Sequence, residues 1–350
     1  MVEISILLYV YNCENFLKDS LDSLINQSFQ DFEIFCIDDE SDDNSLDVLV
    51  EYSKKDNRIR YISIKHVGFS KAMNKFVSLT GGKYLYIMKP STSLRFDALD
   101  ILFKQAEKTN ADMIFTELNW QYDNIYYYKS DSINKIQQIN GQVFNHKNLN
   151  NLIFSIDPSL ENKLYSLDFI KRNKLIFFEN LSYPEHLFFY NSLLLADKIS
   201  YLKDFLFNHV KPFEFLKRNE INIENVYREY ELILKIFREI DEFNEYKNNF
   251  LELKISFFMR EYSKIKEDYK ETFFNIFRKD LIDFFLSDEF EDASVENLSN
   301  FNRKIFEQIL ISENIYEFDL LRKNLFETTE FDDILEQKVF LKTASNYTID

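Results

Sequence analysis

The sequence predicts an α/β domain followed by an all-helical region, and three observations support this fold class. Short, continuously apolar runs alternate with amphipathic stretches in the first part of the chain, which is typical of a mainly parallel sheet with helices on both faces. From about Phe213 onward, apolar residues recur only at helical spacing. No glycine occurs after Gly141, so the composition changes along the chain as well. We therefore predict two domains, residues 1–212 and 213–350.

The first half of the predicted sheet begins with a buried strand at 4–10. The segment Leu17–Ile25 follows with apolar residues on one helical face. A second apolar strand, 32–37, precedes a helix that Ser45 or the asparagine before it would cap. A third strand is expected at 59–64. Strands and helices therefore alternate regularly over this part of the chain.

The same alternation continues in the second half of the predicted sheet. A helix at 70–79 ends at the glycine pair 81–82, and a fourth strand follows at 84–88. A further helix is expected at 94–108 and a further strand at 112–116. With right-handed crossovers, the carboxyl ends of these parallel strands lie along one edge of the sheet.

The remainder of the chain predicts a bundle of amphipathic helices. Aromatic and aliphatic residues recur at helical spacing in the segments 232–237, 250–258 and 273–284, with charged residues between them. We interpret these stripes as packing surfaces. Before this region, Tyr122–Tyr128 is a candidate extra strand whose tyrosines either line a sugar site or pack in the fold.

Charge and cysteine content limit the class of protein. The net charge of -17 disfavours a nucleic-acid partner and broad docking on anionic lipid. Cys13 and Cys36 fit core positions in a reducing compartment better than a disulfide or zinc site. The apolar run at the amino terminus is too short to span a bilayer. We expect a cytoplasmic protein without a transmembrane segment, with peripheral attachment to a membrane as an alternative.

Ligands of such sheets bind where the strands end. Asp38 and Asp39 follow the second strand directly, and a carboxylate there can accept hydrogen bonds from a base or a ribose. The alternative is a cluster that caps the next helix, because acidic residues are favoured at helix amino termini.

Five motifs of this chain occur in a characteristic order. Together they resemble the amino-terminal half of family 2 glycosyltransferases, and the resemblance continues more faintly as far as His209. The five motifs are the segments 4–12, 16–29, 31–45, 68–75 and 81–88.

This resemblance implies a GT-A type fold, a nucleotide-diphospho-sugar donor and a glycan or other hydroxyl acceptor. A UDP-sugar is the expected donor. In the family, the turn after the first strand and the acid after the second hold the base and the ribose. Those positions match Val10, Tyr11 and Asp39 here, with Asp38 adjacent. Tyr11 could stack on the base, and Asp39 could bond the base edge.

The fourth strand is followed by a departure from the family pattern. Family members usually carry an Asp-x-Asp string there, which binds Mg²⁺ or Mn²⁺ through carboxylate oxygens. Here the string is Lys89-Pro90-Ser91-Thr92. The usual metal ligands are absent, so we assign no metal site. A lysine stands where the first acid is expected.

A lysine can pair with a diphosphate as a point charge, although a divalent ion carries twice its charge. Other cationic candidates at the same edge are His66, Lys71 and a late histidine, His209. By the resemblance, His209 lies where a histidine or aromatic residue closes over the donor. The residues assigned to the diphosphate edge are Lys71, Lys89, Ser91, Thr92 and His209.

The candidate catalytic base is Glu185. It aligns with the Asp of a Glu-Asp pair that precedes an apolar helix in the family, and the Glu of that pair falls on Pro184. A glutamate can deprotonate an acceptor hydroxyl in an inverting, single-displacement transfer. The alternative is an acidic residue in the first turn of a helix.

Several departures along the donor edge leave two hypotheses open. One is an active transferase with Glu185 as base. The other is a catalytically inactive homologue that binds a nucleotide sugar, a glycan or an active partner glycosyltransferase. In a third, minor interpretation the helical region serves oligomerisation or docking. The positions that depart from the family pattern, besides the metal string, are Tyr9, Glu40, Val67, Met73 and Pro184.

Overall fold

Ten strands form one mixed sheet within the residues that the computed structural model describes, 2–122, 125–127, 137–210, 223–262, 265–290 and 295–328. The strand order is β3-β2-β1-β4-β9-β6-β10-β5, while β7 pairs with β6 and β8 pairs with β10. The strands are β1 Ile4–Val10, β2 Phe32–Asp38, β3 Ile59–Ser63, β4 Tyr84–Met88, β5 Thr92–Leu94, β6 Met113–Tyr122, β7 Ile125–Tyr127, β8 Val143–Phe144, β9 Lys163–Ser166 and β10 Ile199–Val210.

Helices connect these strands and make up the carboxyl-terminal part. Short 3₁₀ segments occur at Gln137–Ile139, His146–Asn148, Asn150–Ser155, Asp288–Phe290 and Val295–Asn297. The α-helices are α1 Glu14–Ile25, α2 Ser45–Lys55, α3 Phe69–Val77, α4 Ala98–Thr109, α5 Leu167–Arg172, α6 Pro184–Leu195, α7 Ile223–Arg238, α8 Phe243–Tyr262, α9 Glu267–Phe285, α10 Asn300–Ile311 and α11 Ile315–Thr328.

The chain divides into two units. The first comprises Met1–Leu149 and Ile156–Pro212, and the second comprises Asn150–Ser155 and Phe213–Asp350. The short segment Asn150–Ser155 thus belongs with the helical unit, although it lies within the predicted first domain.

The sheet of the first unit is parallel across β3, β2, β1 and β4. β9 then runs antiparallel to both β4 and β6, and β10 is parallel to β6. The side chains of β1 and β4 are almost entirely buried, as expected for central strands covered on both faces. The carboxyl ends of β1 to β4 therefore lie at one edge.

A glycine sets the distance between β1 and β4. The N–H of Gly82 donates to the Ser5 hydroxyl oxygen at 3.0 Å. A Cβ at position 82 would lie 2.7 Å from both the backbone nitrogen and the hydroxyl of Ser5, which is closer than real atoms approach. Position 82 therefore requires glycine where the two strands pack, whereas a Cβ at Gly81 would meet open space.

The helix predicted at 94–108 is wrong at its start. Thr92–Leu94 forms strand β5, antiparallel to β10, and helix α4 begins only at Ala98. Leu94 pairs with Phe207. Its apolar side chain is therefore part of the sheet. The helical spacing of the local segment could not predict this pairing with a distant strand.

The extra strand predicted at 122–128 is found in part. β7, Ile125–Tyr127, pairs antiparallel with the end of β6. Residues 123–124 and 128 lie outside the described residues. The suggested role of these tyrosines in a sugar site stays a prediction.

The second unit is held together by aromatic packing, as its sequence predicts. Phe258 stacks on Phe277 with 3.7 Å between ring centroids, and on Phe273 with the rings nearly parallel. A nearly buried lysine, Lys254, pairs with Asp280 at 2.8 Å. Throughout the described part of the chain, no helix is both long enough and apolar enough to cross a membrane.

Candidate active site

The loops that follow β1, β2 and β4 meet at the carboxyl edge of the parallel strands. Val10 is the last residue of β1 and Asp38 the last of β2, and the two are paired in register. Tyr11 and Asp39 come next, and Lys89 directly follows β4. The fold therefore brings the predicted nucleotide residues and Lys89 to the same edge.

Asp39 links the end of β1 to the loop that follows β3 through hydrogen bonds. Its Oδ2 accepts hydrogen bonds from the Tyr9 hydroxyl at 2.7 Å and from the Gly68 N–H at 2.9 Å, and it lies 3.0 Å from His66 Nδ1. Its Oδ1 accepts from the Val67 N–H at 2.8 Å. The side chain is fully buried. Because an ionised carboxylate oxygen has two lone pairs, Oδ1 retains one acceptor site among these contacts.

Asp38 joins β2 to β3 and to the following turn. Its Oδ2 accepts from the Ser63 hydroxyl at 2.8 Å, and its Oδ1 accepts from the Ser41 N–H at 3.3 Å. The capping role fits Asp43 instead, which accepts from the backbone N–H of Glu14 and of Ser45. The acids at 38 and 39 are therefore edge residues rather than helix caps.

Tyr11 is the exposed aromatic residue of this edge. Its side chain is 39% accessible, and its ring lies 4.7 Å from the His66 ring at an interplanar angle of 36°. His66 is in turn held by Asp39. An accessible tyrosine ring beside a tethered imidazole is a surface on which a planar base could stack.

A charged cluster occupies the neighbouring part of the edge, and it contains the predicted base. The Lys89 ammonium lies 2.9 Å from Glu185 Oε1 and 3.3 Å from Glu161 Oε1. Glu185 lies in the first turn of α6, immediately after Pro184. Glu161 is fully buried. We define Lys89, Glu161 and Glu185 as the lysine–carboxylate cluster.

The antiparallel pairing of β4 and β9 explains why Lys89 meets Glu161. Tyr86 is paired with Leu164 at the end of this ladder. Lys89 lies three residues after Tyr86, and Glu161 lies three residues before Leu164, so continuing the antiparallel register places the two opposite each other. Both residues lie outside the strands themselves, yet the register of the two strands determines that they face each other.

The cluster shifts the ionisation of its members. Burial would raise the pKa of Glu185, but the charges of Lys89 and His186 and the hydrogen bonds of the carboxylate together lower that pKa to about 2. Burial would likewise raise the pKa of Glu161, and Lys89 and His209 lower it. Burial would lower the pKa of Lys89, and the two carboxylates raise it. At neutral pH the cluster therefore contains one ammonium and two carboxylates.

His209, Thr92 and Ser91 lie beside this cluster. His209 is paired with Thr92 across β10 and β5, and its Nδ1 is 2.9 Å from the Thr92 hydroxyl and 3.6 Å from Glu161 Oε1. Its Nε2 is 3.5 Å from the Ser91 hydroxyl. The Ser20 hydroxyl donates to the carbonyl oxygen of Thr92 at 2.7 Å, so the loop after β4 is fastened to helix α1.

Lys71 is not part of this charged group in the structure. It lies on α3, and its ammonium is 3.4 Å from the carboxylate of Glu179. Both side chains are about half exposed. Its assignment to the diphosphate edge stays a prediction.

The donor set does not fit a divalent metal ion. The described residues contain no group of three or more histidine, cysteine, aspartate or glutamate side chains arranged to hold one. The two carboxylates of the cluster already have the Lys89 ammonium between them. Divalent magnesium and manganese require several oxygen ligands that converge on one point.

Sequence reasoning did not identify Glu161 or Lys163. Lys163 is fully buried and donates to the carbonyl oxygens of Asp157 and Ser159 and, at 2.7 Å, to Asn162 Oδ1. These bonds hold the turn in which Glu161 lies. Burial lowers the pKa of Lys163 to about 7. The available signal was the fainter resemblance to the family that continues to His209, because residues 162–165 belong to it and directly follow Glu161.

Residues 5–164 match the family model described as "Glycosyl transferase family 2". Residues 5–164 are therefore similar to a family 2 glycosyltransferase domain. Glycosyltransferase GlyA of Streptococcus pneumoniae is 32% identical over 111 residues, which cover 32% of this chain and 16% of GlyA. Poly(ribitol-phosphate) beta-glucosyltransferase of Bacillus spizizenii is 31% identical over 121 residues, which cover 33% of this chain and 19% of that protein. The alignments thus span less than half of these relatives.

Solved structures confirm the predicted GT-A type fold with its helical carboxyl-terminal region. The crystal structure of Staphylococcus aureus TarS 1-349 in complex with UDP-GlcNAc matches with a TM-score of 0.70 and 18% identity, over 94% of this chain and 93% of that one. The mannosyltransferase PcManGT of Pyrobaculum calidifontis, in complex with GDP-Man and Mn²⁺, matches with a TM-score of 0.52 and 10% identity. That match covers 99% of this chain and 86% of PcManGT.

Proposed function

We propose that this domain binds a nucleotide sugar, with UDP-sugars as the first candidates, and transfers the sugar to a hydroxyl of a glycan or other acceptor. The observation that carries the proposal is the arrangement of Tyr11, Asp38 and Asp39 at the edge where β1 and β2 end, next to Lys89 and Glu185. The complexes of TarS with UDP and UDP-GlcNAc support the same class of donor.

Base recognition would use the accessible Tyr11 ring. Because the Asp39 side chain is fully buried, the remaining acceptor site of its Oδ1 becomes available to the base only when the residues that cover it move aside. A ring N–H of the base would donate to that oxygen. Asp38 is bonded to Ser63 and Ser41, so its contribution is to hold the backbone on which Asp39 stands. Val10 supports the same backbone, because its carbonyl oxygen accepts the Asp39 N–H at 2.9 Å.

Transfer would proceed by direct displacement with inversion at the anomeric carbon. The acceptor oxygen forms a bond to that carbon, the bond from the carbon to the diphosphate oxygen breaks, and its electron pair leaves with the diphosphate. The acceptor proton passes to the Glu185 carboxylate. The Lys89 ammonium would offset charge that develops on the leaving group.

The ion pair with Lys89 limits Glu185 as a base. A carboxylate with a pKa of about 2 has little tendency to take a proton at neutral pH. Glu185 becomes a competent base only when Lys89 moves its charge towards the donor phosphates. Donor binding would therefore precede activation of the base.

This same ion pair favours a second candidate function, a catalytically inactive homologue. Such a protein would bind a nucleotide sugar or glycan at the edge, or associate with an active glycosyltransferase through its helical unit, without catalysing transfer. In this case Lys89 would keep Glu185 neutralised whether or not a donor is bound.

Calorimetry and a transfer assay distinguish these functions. UDP, GDP and their sugars are titrated into the full chain, and release of UDP from UDP-sugars is followed with glycan acceptors. The transferase predicts binding tighter than millimolar, and turnover that Glu185→Gln abolishes while Glu179→Gln, a change of a half-exposed acid, leaves it intact. Binding without turnover selects the inactive homologue. Millimolar or weaker binding of every nucleotide contradicts both donor-binding functions.

A further inference from the structure

The lysine–carboxylate cluster combines features that a surface ion pair lacks. Glu161 is completely buried, and neither carboxylate oxygen has a hydrogen-bond partner among the described residues. The Lys89 ammonium faces this carboxylate at 3.3 Å, and His209 Nδ1 lies 3.6 Å from it. A buried carboxylate without hydrogen bonds is costly. Its presence at the sheet edge therefore points to a role in holding a cation there.

Lys89 is the cation that this carboxylate holds. Its side chain is 33% accessible whereas that of Glu161 is inaccessible, so the Lys89 side chain lies closer to solvent than the buried carboxylate does. An ammonium has three N–H donors. Glu185 Oε1 accepts one of these donors at 2.9 Å, and the Glu161 carboxylate is an ion-pair partner at 3.3 Å, so a donor remains for a phosphate oxygen.

We propose that the Lys89 ammonium is a built-in cation of the donor edge that replaces a divalent metal ion, and that Glu161 is the residue that positions it. This inference rests on the proposed nucleotide-sugar function and deepens it. It makes nucleoside diphosphate binding independent of Mg²⁺ and Mn²⁺. The usual metal-binding acids are absent after β4, and the two carboxylates that remain nearby, Glu161 and Glu185, are paired with the Lys89 ammonium.

Lys89 reduces, but does not remove, the negative charge that the cluster presents to a diphosphate. Two carboxylates alone would repel a diphosphate, and the ammonium cancels one of their two charges. Without Lys89, the cluster would consist of the Glu161 and Glu185 carboxylates with the His209 imidazole near Glu161. Carboxylate oxygens of this kind suit Mn²⁺. A carboxylate introduced at position 89 would complete a set of three acids.

The first test measures Mn²⁺ binding to the full chain in the absence of nucleotide, by electron paramagnetic resonance of the free ion. Lys89→Asp is compared with the wild type and with Lys83→Asp. Lys83 is a matched control, because it pairs with Glu107 at 2.5 Å on the surface of the same unit. We expect Lys89→Asp to bind one Mn²⁺ per chain at least about tenfold more tightly than either comparison protein.

Two results would overturn the inference in this test. One is tight, stoichiometric Mn²⁺ binding by the wild type that Glu161→Gln abolishes. The other is no gain of Mn²⁺ affinity in Lys89→Asp. If Lys89→Asp fails to fold, Lys89→Ala is used, since it frees the same two carboxylates without adding a charge.

The second test examines Glu161 as a positioning residue. Lysines of the intact protein are acetylated briefly at pH 9 and quantified by mass spectrometry. Loss of the buried carboxylate lowers the pKa of Lys89, so Glu161→Gln should raise the acetylation rate of Lys89 about tenfold, the factor for one pKa unit. The rate of Lys83 should stay constant. An unchanged rate for Lys89 contradicts the positioning role.

The third test titrates UDP into the wild type in EDTA and in Mn²⁺. We expect dissociation constants that agree within about twofold, and tenfold tightening by Mn²⁺ would refute metal independence. Absence of UDP binding in both buffers would instead refute the proposed function. The Mn²⁺ and acetylation measurements need no nucleotide, so they test the role of Lys89 independently of the proposed nucleotide-sugar function.

Discussion

The Tyr9 hydroxyl donates a 2.7 Å hydrogen bond to Asp39 Oδ2, and this bond links the end of β1 to the residue that follows β2. Tyr9 stands where family members usually carry proline. Burial, together with the neighbouring Asp39 charge, raises the pKa of the Tyr9 hydroxyl, so it remains a donor at all ordinary pH values. One departure from the family pattern thus supplies a support for the candidate nucleotide residue.

Tyr9→Phe should weaken both the fold and the edge. Loss of a hydrogen bond to a charged group typically destabilises a protein by about 2 kcal/mol, which urea unfolding would measure. We also expect the affinity for UDP to fall severalfold, because Asp39 loses a fixed partner. Tyr52→Phe is the matched control, since Tyr52 donates to Asp22 at 2.8 Å away from this edge. If both variants bind UDP alike, Tyr9 has no specific role.

Tyr11→Ala should reduce nucleotide affinity without a large effect on stability. Stacking of a base on an aromatic ring contributes about 1–3 kcal/mol, so the dissociation constant for UDP should rise by about tenfold. The measurement is calorimetry beside thermal unfolding. Tyr61 is similarly exposed, on β3, and Tyr61→Ala should leave the affinity unchanged. Equal affinities for the two variants would exclude Tyr11 as the stacking residue.

The pH dependence of stability should reveal the Lys89–Glu185 pair. The pKa of Glu185 is lowered from 4.5 to about 2, so its ionised form stabilises the folded state above pH 4.5. This contribution is lost as the pH falls towards 2. Between pH 7 and pH 3 the wild type should lose about 2 kcal/mol of unfolding free energy that Glu185→Gln does not lose.

Urea unfolding of both proteins at pH 7, 5 and 3 measures this difference. Glu179→Gln is the control, because Glu179 is about half exposed and pairs with Lys71 at the longer distance of 3.4 Å. Parallel pH profiles for the wild type and Glu185→Gln would show that the pair contributes nothing to stability.

Gly82→Ala should destabilise the first unit, because the added Cβ would meet the Ser5 backbone at 2.7 Å. Overpacking of this kind typically costs about 1–3 kcal/mol. Gly81→Ala is the control, since a Cβ there meets nothing within 4 Å, and it should change stability by less than about 0.5 kcal/mol. Similar unfolding free energies for the two variants would contradict the close approach of β1 and β4.

Local patterns in the sequence were sufficient for the four neighbouring parallel strands β1 to β4. β1 and β4 begin and end as their apolar runs indicate, and β2 extends one residue further, to Asp38. The edge position of Asp38 and Asp39 follows from these strands and from the chirality of their crossovers. A short, continuous apolar run between turn residues has few structures open to it other than a buried strand, so these elements were predictable.

Non-local pairing explains what the sequence did not reveal. Thr92–Leu94 forms a strand only because β10 lies beside it, and its own spacing resembles the start of a helix. Glu161 meets Lys89 only through the register of β4 with β9. No local rule connects two positions so far apart in the chain, and strand register is set by the whole sheet.

That register has a consequence for how related sequences can diverge. The charge after β4 and the charge before β9 face each other across one ladder, so loss of Lys89 alone leaves the buried Glu161 carboxylate without its ammonium, whereas loss of Glu161 leaves Lys89 paired with Glu185. We expect relatives with an acid in place of Lys89 to lack the acid at the position of Glu161, and relatives with the lysine to retain it. The two positions would then be inherited as a pair, and the pair would distinguish metal-using branches of the family from metal-free ones.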